Sequence, residues 1–349
     1  MIEIWYAILS FMLVMFVVLE GFDIGAGLLQ YVVGKTEAER RLVIAAIGPL
    51  WSWHEVWLVS FGGVLFVAFP TILAVSFAGF YLALFLLLWA IVLRGISIEV
   101  SGLIEEPLWR TAWHVAFVGS NILLAILIGA ALGNVVRGVP LDANGKFSLA
   151  FFTNFSPLGN VGILDWFTVS VAVFILVTFA AHGANALIMK TEGPVHERSR
   201  RLAGILWKIV LALLVVVTLE TWRVRPELFS GMAHKPFAWL GLAFVIGGLT
   251  AIFTRLSGQC ERRAVIGSSM FIAGLMIAGA ASVFPIMLHS TLAPEDSLSA
   301  YQNAAAGHGL VIALVWWPVA LALSIGYFLF IYRHYAGKVK PSEDTQRPY

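Results

Sequence analysis

Cysteine is almost absent from this sequence: Cys260 is the only one. An internal disulfide, a Cys-x-x-Cys redox pair and a thiolate metal cluster are therefore excluded. Charge is scarce as well, at 12% of 349 residues, against 60% hydrophobic residues. A mean hydropathy of +0.90 lies outside the composition of soluble domains. There is no Gly-x-x-x-x-Gly-Lys-Ser/Thr, no Gly-x-Gly-x-x-Gly after a strand and no His-Glu-x-x-His, so nucleotide hydrolysis and zincin chemistry have no support. Low-complexity segments are missing. The formal net charge of +2 says little about partners, and no nucleic-acid partner is expected.

What the chain does have is long apolar runs. A span of the ~30 Å hydrocarbon core needs about twenty apolar residues. The runs predict an all-α, polytopic membrane protein, a single integral domain over 1–349 with nine transmembrane helices. They fall near 4–33, 50–70, 73–98, 110–136, 163–189, 203–222, 236–256, 263–287 and 309–334. The stretch from Val56 to Leu93 carries no charge and is too long for one span, so Pro70 is the expected break into a tight hairpin. The first run holds Glu3 and no Lys or Arg before Lys35, which reads as a resident helix and not a cleaved signal.

Basic residues set the orientation. One set of loops and helix ends carries Lys35, Arg40, Arg41, Arg94, Arg110, Lys190, Arg198, Arg200, Arg201, Arg255, Arg262, Arg263, Arg333, Lys338, Lys340 and Arg347. The opposite set carries only Arg137, Lys146, Arg223, Arg225 and Lys235. The N-terminus is thus expected outside, and the tail 335–349 in the cytoplasm. Gly25-Ala26 before Lys35-Thr36-Glu37 has a faint echo in Gly183-Ala184 before Lys190-Thr191-Glu192. That repeat divides the chain into two four-helix bundles, about 1–136 and 163–287, plus a peripheral ninth helix.

This topology gathers the polar residues of the first four helices at one depth. Glu20 and Asp23 lie three apart in the inner third of helix one. Ser52, His54 and Glu55 open helix two from the inner side, within Trp51-Ser52-Trp53-His54-Glu55-Val56-Trp57. Arg94 and Glu99 lie near the inner end of helix three, and His114 in the first turns of helix four, with Asn121 two turns deeper. Ionisable groups inside a membrane are costly and functional by default. Acids and imidazoles within reach of one another form a proton relay, with Arg94 as counter-ion. The second bundle offers only His182, Asn185 and Lys208, with no inner-half carboxylate.

Other readings of the same residues remain. They serve as structural hydrogen-bonding pairs, or several sit wet in the headgroup region. His54 and His114, on adjacent helices, are a conceivable clamp for one heme iron, although a lone His per helix more often belongs to a hydrogen-bond network. A proton-coupled secondary transporter is the alternative function. Transporter sites usually lie at midplane breaks, and here the polar groups are off-centre. Gly21-x-x-x-Gly25, followed by Ala26 and Gly27, reads as a small-residue face for close helix packing.

Along nearly its whole length the chain resembles subunit II of the cytochrome bd-type quinol oxidases. The resemblance is carried by Gly21-Phe22-Asp23-Ile24-Gly25-Ala26-Gly27, Gly48-Pro49-Leu50-Trp51, Glu55-Val56-Trp57-Leu58, Ser76-Phe77-Ala78-Gly79-Phe80-Tyr81 and Leu93-Arg94-Gly95. Trp109-Arg110 with Trp113, Gly133-Asn134, Gly138-Val139-Pro140, Phe284-Pro285 and Ser297-Leu298 continue it. It implies a heme-free, nine-helix protein of a bacterial or archaeal cell membrane, paired with a larger subunit I. That partner would carry two b-type hemes, heme d and the quinol site, and a small single-helix accessory chain is a further expected partner beside membrane lipid. The complex would oxidise quinol and reduce dioxygen to water with cytoplasmic protons. In relatives the residue matching Asp23 and the opening of helix two lie on or near a proton route, and the tryptophan matching Trp57 near an oxygen route. This sequence departs from the family where Ser52 and His114 replace usual acids and His54 is gained. The relay implied is Asp23, Glu55, His54 and His114; otherwise the route here is altered.

Overall fold

The computed structural model describes residues 1–157, 159–255, 261–305 and 308–339. Cys260, together with Lys340 and Arg347 of the basic tail, lies outside the described residues. The helices are α1 (Ile2–Val33), α2 (Glu37–Ile47), α3 (Trp51–Ala68), α4 (Pro70–Gly79), α5 (Tyr81–Val100), α6 (Pro107–Arg137), α7 (Trp166–Lys190), α8 (Gly193–Val224), α9 (Glu227–Met232), α10 (Pro236–Arg255), α11 (Glu261–Val283), α12 (Ala300–Asn303) and α13 (Gly309–His334). A two-stranded antiparallel ribbon of β1 (Ile286–Leu288) and β2 (Leu298–Ser299) follows α11. Among the described residues eight helices are long and apolar enough to cross a membrane. A ninth span is counted if α2 and α3, bent by 46° at their junction, act as one. The protein is an all-α, multi-pass membrane protein.

Several boundaries differ from the sequence expectation, among them the start of α8, at Gly193 and not near 203. Residues 37–47, read as loop, form α2: Thr36 caps it through a capping box with Glu39. Pro49 falls in the bend between α2 and α3. The expected span 73–98 is replaced by the short α4 and a later α5. The chain leaves helical geometry at Phe69, before Pro70, and again at Phe80. The ring of Phe147, from the long connection after α6, packs edge-on against Phe80 and occupies the place a side chain at Gly79 would need.

The core is organised around α1 and α7. Helix α1 packs on α3, α6, α7 and α11, and α7 on α6, α8 and α11. The two cross with backbones in contact: a methyl group at Gly25 would run into the carbonyl of Phe179, and one at Gly183 into the backbone of Gly25. The glycines paired by the faint internal repeat thus touch each other, which is what close approach of two helices requires. Helices α10 and α11 use the same device at Gly241, Gly248, Gly267 and Gly274. Helix α13 lies on α3, with Trp53 and Tyr327 rings 4.1 Å apart, and leaves most of its apolar surface exposed.

Candidate functional site: a buried ion network between α1, α3 and α5

One turn of α1 and the first turns of α3 meet the last turns of α5 in a polar cluster. Arg94 is fully buried, and its guanidinium forks across two helices: Nη1 donates to Glu20 of α1, and Nη2 to Glu55 Oε1 of α3 at 2.5 Å. Its plane also lies 6.0 Å from the Trp51 ring centroid. Gly95 leaves room for that indole, since a side chain there would meet it. One turn from Glu20, Asp23 Oδ2 sits 2.6 Å from His54 Nδ1, and both residues are buried. Phe22 and Phe328 border the imidazole.

The charges of the cluster are not balanced. Three carboxyl groups face one obligate cation, so full ionisation with a neutral imidazole would bury a surplus of negative charge. Burying such a surplus is expensive enough that the cluster must hold protons. Asp23 Oδ2 and His54 Nδ1 are joined by a short hydrogen bond. Asp23 Oδ1 and Glu20 Oε2 are buried and accept no hydrogen bond from the protein. Buried oxygens of this kind are normally met by ordered water. The arrangement can therefore take up, hold and pass on a proton.

Not every residue expected at this depth joins. Ser52 is exposed on the outer side of α3, and Glu99 is exposed near the end of α5; both stand apart from the network. Residues three apart on a helix still diverge by about 60°, enough to turn Glu55 to Arg94, half-buried, and leave Ser52 exposed. His114 is buried on α6 but faces α2, with Nδ1 3.7 Å from Glu37 Oε2. His54 and His114 thus point to different partners, and the pair does not fit the clamp for an iron. Among the described residues no three His, Cys, Asp or Glu side chains converge as metal ligands. Trp57 is buried edge-on against Phe11 of α1, while Trp53 turns to α13.

His182 and Asn185 of α7 are structural ties to α11. His182 Nδ1 lies 2.7 Å from Ser268 Oγ and Nε2 3.1 Å from the Val18 carbonyl; Asn185 Nδ2 donates to the Ala264 carbonyl. Lys208 is exposed on α8. A second buried ion pair went unread in the sequence: Arg137, at the end of α6, binds Asp165, Asn134 and the Gly162 carbonyl. Asp165 caps α7 through Phe167 and Thr168 amides. An Asp three residues before a Thr, ahead of an apolar run, was its only signal.

A multi-pass helical chain with acids, an arginine and an imidazole joined across three helices is an integral membrane protein with a buried ionic network. The family model described as "Cytochrome bd terminal oxidase subunit II" matches residues 1–335, and the chain belongs to that family. It is 31% identical to the probable cytochrome oxidase subunit 2 of Haemophilus influenzae, over 96% of this chain and 94% of that one. Cytochrome bd-I ubiquinol oxidase subunit 2 of Escherichia coli K12 is 27% identical over 99% of this chain and 96% of its own length. A Bacillus subtilis cytochrome bd ubiquinol oxidase subunit 2 is 26% identical over 98% and 97%. A chain of the bd oxidase structure from Geobacillus thermodenitrificans shares the fold, with a TM-score of 0.73, 16% identity and coverage of 96% and 98%.

Proposed function

We propose that this chain is the heme-free subunit of a quinol:oxygen oxidoreductase and that its Asp23–His54 pair, with Glu20, Glu55 and Arg94, conducts protons from the cytoplasmic side to a heme-bearing subunit I. In this assembly the partner's two b-type hemes and heme d would supply electron transfer and oxygen chemistry. This chain's task is to hold and release protons. Asp23 accepts a proton, His54 takes it at Nδ1 and yields the one on Nε2, and Glu20 and Glu55 vary the local charge around Arg94. The basic ends of the helices support an N-terminus outside and a C-terminus in the cytoplasm. Trp57 and Phe11 line the apolar ground on which an oxygen route would run. A single-helix accessory chain and lipid would complete the complex.

The observation that carries the reading is the 2.6 Å contact between Asp23 and His54 beside an arginine-bridged pair of acids. The gained imidazole stands on the acid itself, which explains how a chain with serine at 52 retains a proton-bearing partner there. The test is oxygen consumption by the assembled two-subunit oxidase. Asp23→Asn and Glu55→Gln are each expected to lower turnover by about 100-fold, the low end for loss of a positioned proton-transfer group, with the heme spectrum unchanged. Full turnover in both variants would make the cluster a brace only.

A further inference from the structure

The network above begins one turn or more inside the bundle, and something must bring protons to it. Glu37 opens α2 at the basic end of the molecule, one-third exposed and held by Arg40 at 3.3 Å and Arg41 at 3.2 Å. His114 lies behind it, 2% exposed, with Nδ1 turned to that carboxylate and without a hydrogen bond from the protein. An imidazole buried beside a half-open acid, with a bare ring nitrogen between them, is poorly explained as packing. A stripe on α1 runs from this point to the network. Gln30, Gly27, Asp23 and Glu20 are three or four residues apart and share one face. Asn121 of α6 rests directly on Gly27, where a side chain would displace it. The amide oxygens of Gln30 and Asn121 are both buried and unpaired, as are Asp23 Oδ1 and Glu20 Oε2. A file of buried acceptors along one stripe is what a short water thread requires.

We propose that Glu37 and His114 form the proton entrance of this subunit, and that Gln30 and Asn121 hold the water thread joining it to Asp23; this rests on the relay reading above. A proton from bulk water is taken by the Glu37 carboxylate and passed to His114 Nδ1. The imidazolium releases its Nε2 proton to the thread, and the ring returns to its starting tautomer for the next proton. No bond other than O–H and N–H changes. The charges facing His114 are Glu37, Arg40 and Arg41 of α2 and Arg110 of its own helix. This also gives the departure at position 114 a use, since an imidazole can collect from an acid on a neighbouring helix.

The experiment uses the two-subunit oxidase in native membranes, with oxygen consumption followed from pH 6 to pH 8.5 and heme content read optically. Glu37→Gln is expected to cost about tenfold in turnover at the alkaline end, where protons are scarce, and little at pH 6. Glu37→Asp should restore the profile, and Glu37→Gln with His114→Ala should be no slower than the slower single variant. Wild-type profiles for Glu37→Gln and His114→Ala, alongside a slow Asp23→Asn enzyme, would overturn the entrance and leave the relay standing. Silence of all three would overturn both. If His114→Ala lowers heme content, Glu37→Gln, at the surface, decides the matter alone.

Discussion

Arg94 is the residue on which the interior network turns. Its two terminal nitrogens reach separate helices, a geometry that a single ammonium cannot copy. Arg94→Met leaves the buried Glu20 and the half-buried Glu55 without their cation and is expected to destabilise the subunit by about 3–5 kcal/mol. The measurement is the yield and thermal midpoint of assembled oxidase. Arg94→Lys should recover only part of the loss, and an unaltered midpoint in Arg94→Met would show that the acids are carried neutral without help. At this scale much was legible in advance. Charge and topology alone placed Arg94 with Glu20 and Glu55, because all three must lie near one end of their helices. Ser52 and Glu99 were misplaced because depth in the membrane is readable from sequence, whereas the direction a side chain faces depends on which neighbour its helix meets. His114 meets Glu37 and not the Asp23–His54 pair directly, since Glu37 sits on a helix that the polar pattern of 37–47 had disguised as a loop.

At the scale of elements, two contacts set the geometry that the network needs. The α1–α7 crossing has no room for a side chain at Gly25 or Gly183. Gly25→Val is expected to push the helices apart and abolish accumulation of the complex, scored by immunoblot and heme spectrum of membranes, whereas Gly119→Ala, on open surface, should be neutral. The repeat that pairs these glycines was visible in the sequence only as a faint echo, because two short motifs carry it and the packing does the rest. A second contact lies on the opposite end, where the turn after α6 joins the loop after α11: the Val139 amide donates to the His289 carbonyl and the Thr291 amide to the Val139 carbonyl, both at 2.8 Å. Burial, reinforced by the nearby Arg225, holds the His289 imidazole below its usual range. A histidine so depressed contributes stability that is complete above the unfolded value of about 6.5 and is lost as pH falls through the folded one. Amide exchange at Val139 and Thr291, corrected for its intrinsic pH dependence, should therefore quicken as pH drops from 7 to 5, and His289→Gln should remove the change. The loop itself, with its Arg137–Asp165 brace, left little trace in the sequence, because its order comes from pairings distant in sequence.

Taken whole, the molecule is a helical scaffold with a buried ionic seam and a large uncovered apolar surface, most of it on α13, α8 and the α4–α5 stretch. That surface suits lipid and a second polytopic chain, in keeping with a family whose members are subunits. Hydropathy placed the spans well, since the cost of exposing backbone in hydrocarbon forces long helices wherever apolar runs occur. The division into two bundles is a different matter: α1 and α7, which would head separate bundles, are packed against each other, so the halves share their central contact. The claim at the centre of this account is that Asp23 and His54 carry protons for the oxidase. It is tested most directly by a single turnover of the fully reduced, assembled enzyme with oxygen, proton uptake being followed by a pH indicator. For Asp23→Asn, oxygen binding at the wild-type rate with proton uptake slowed at least about tenfold is the expected result; uptake at the wild-type rate would contradict it.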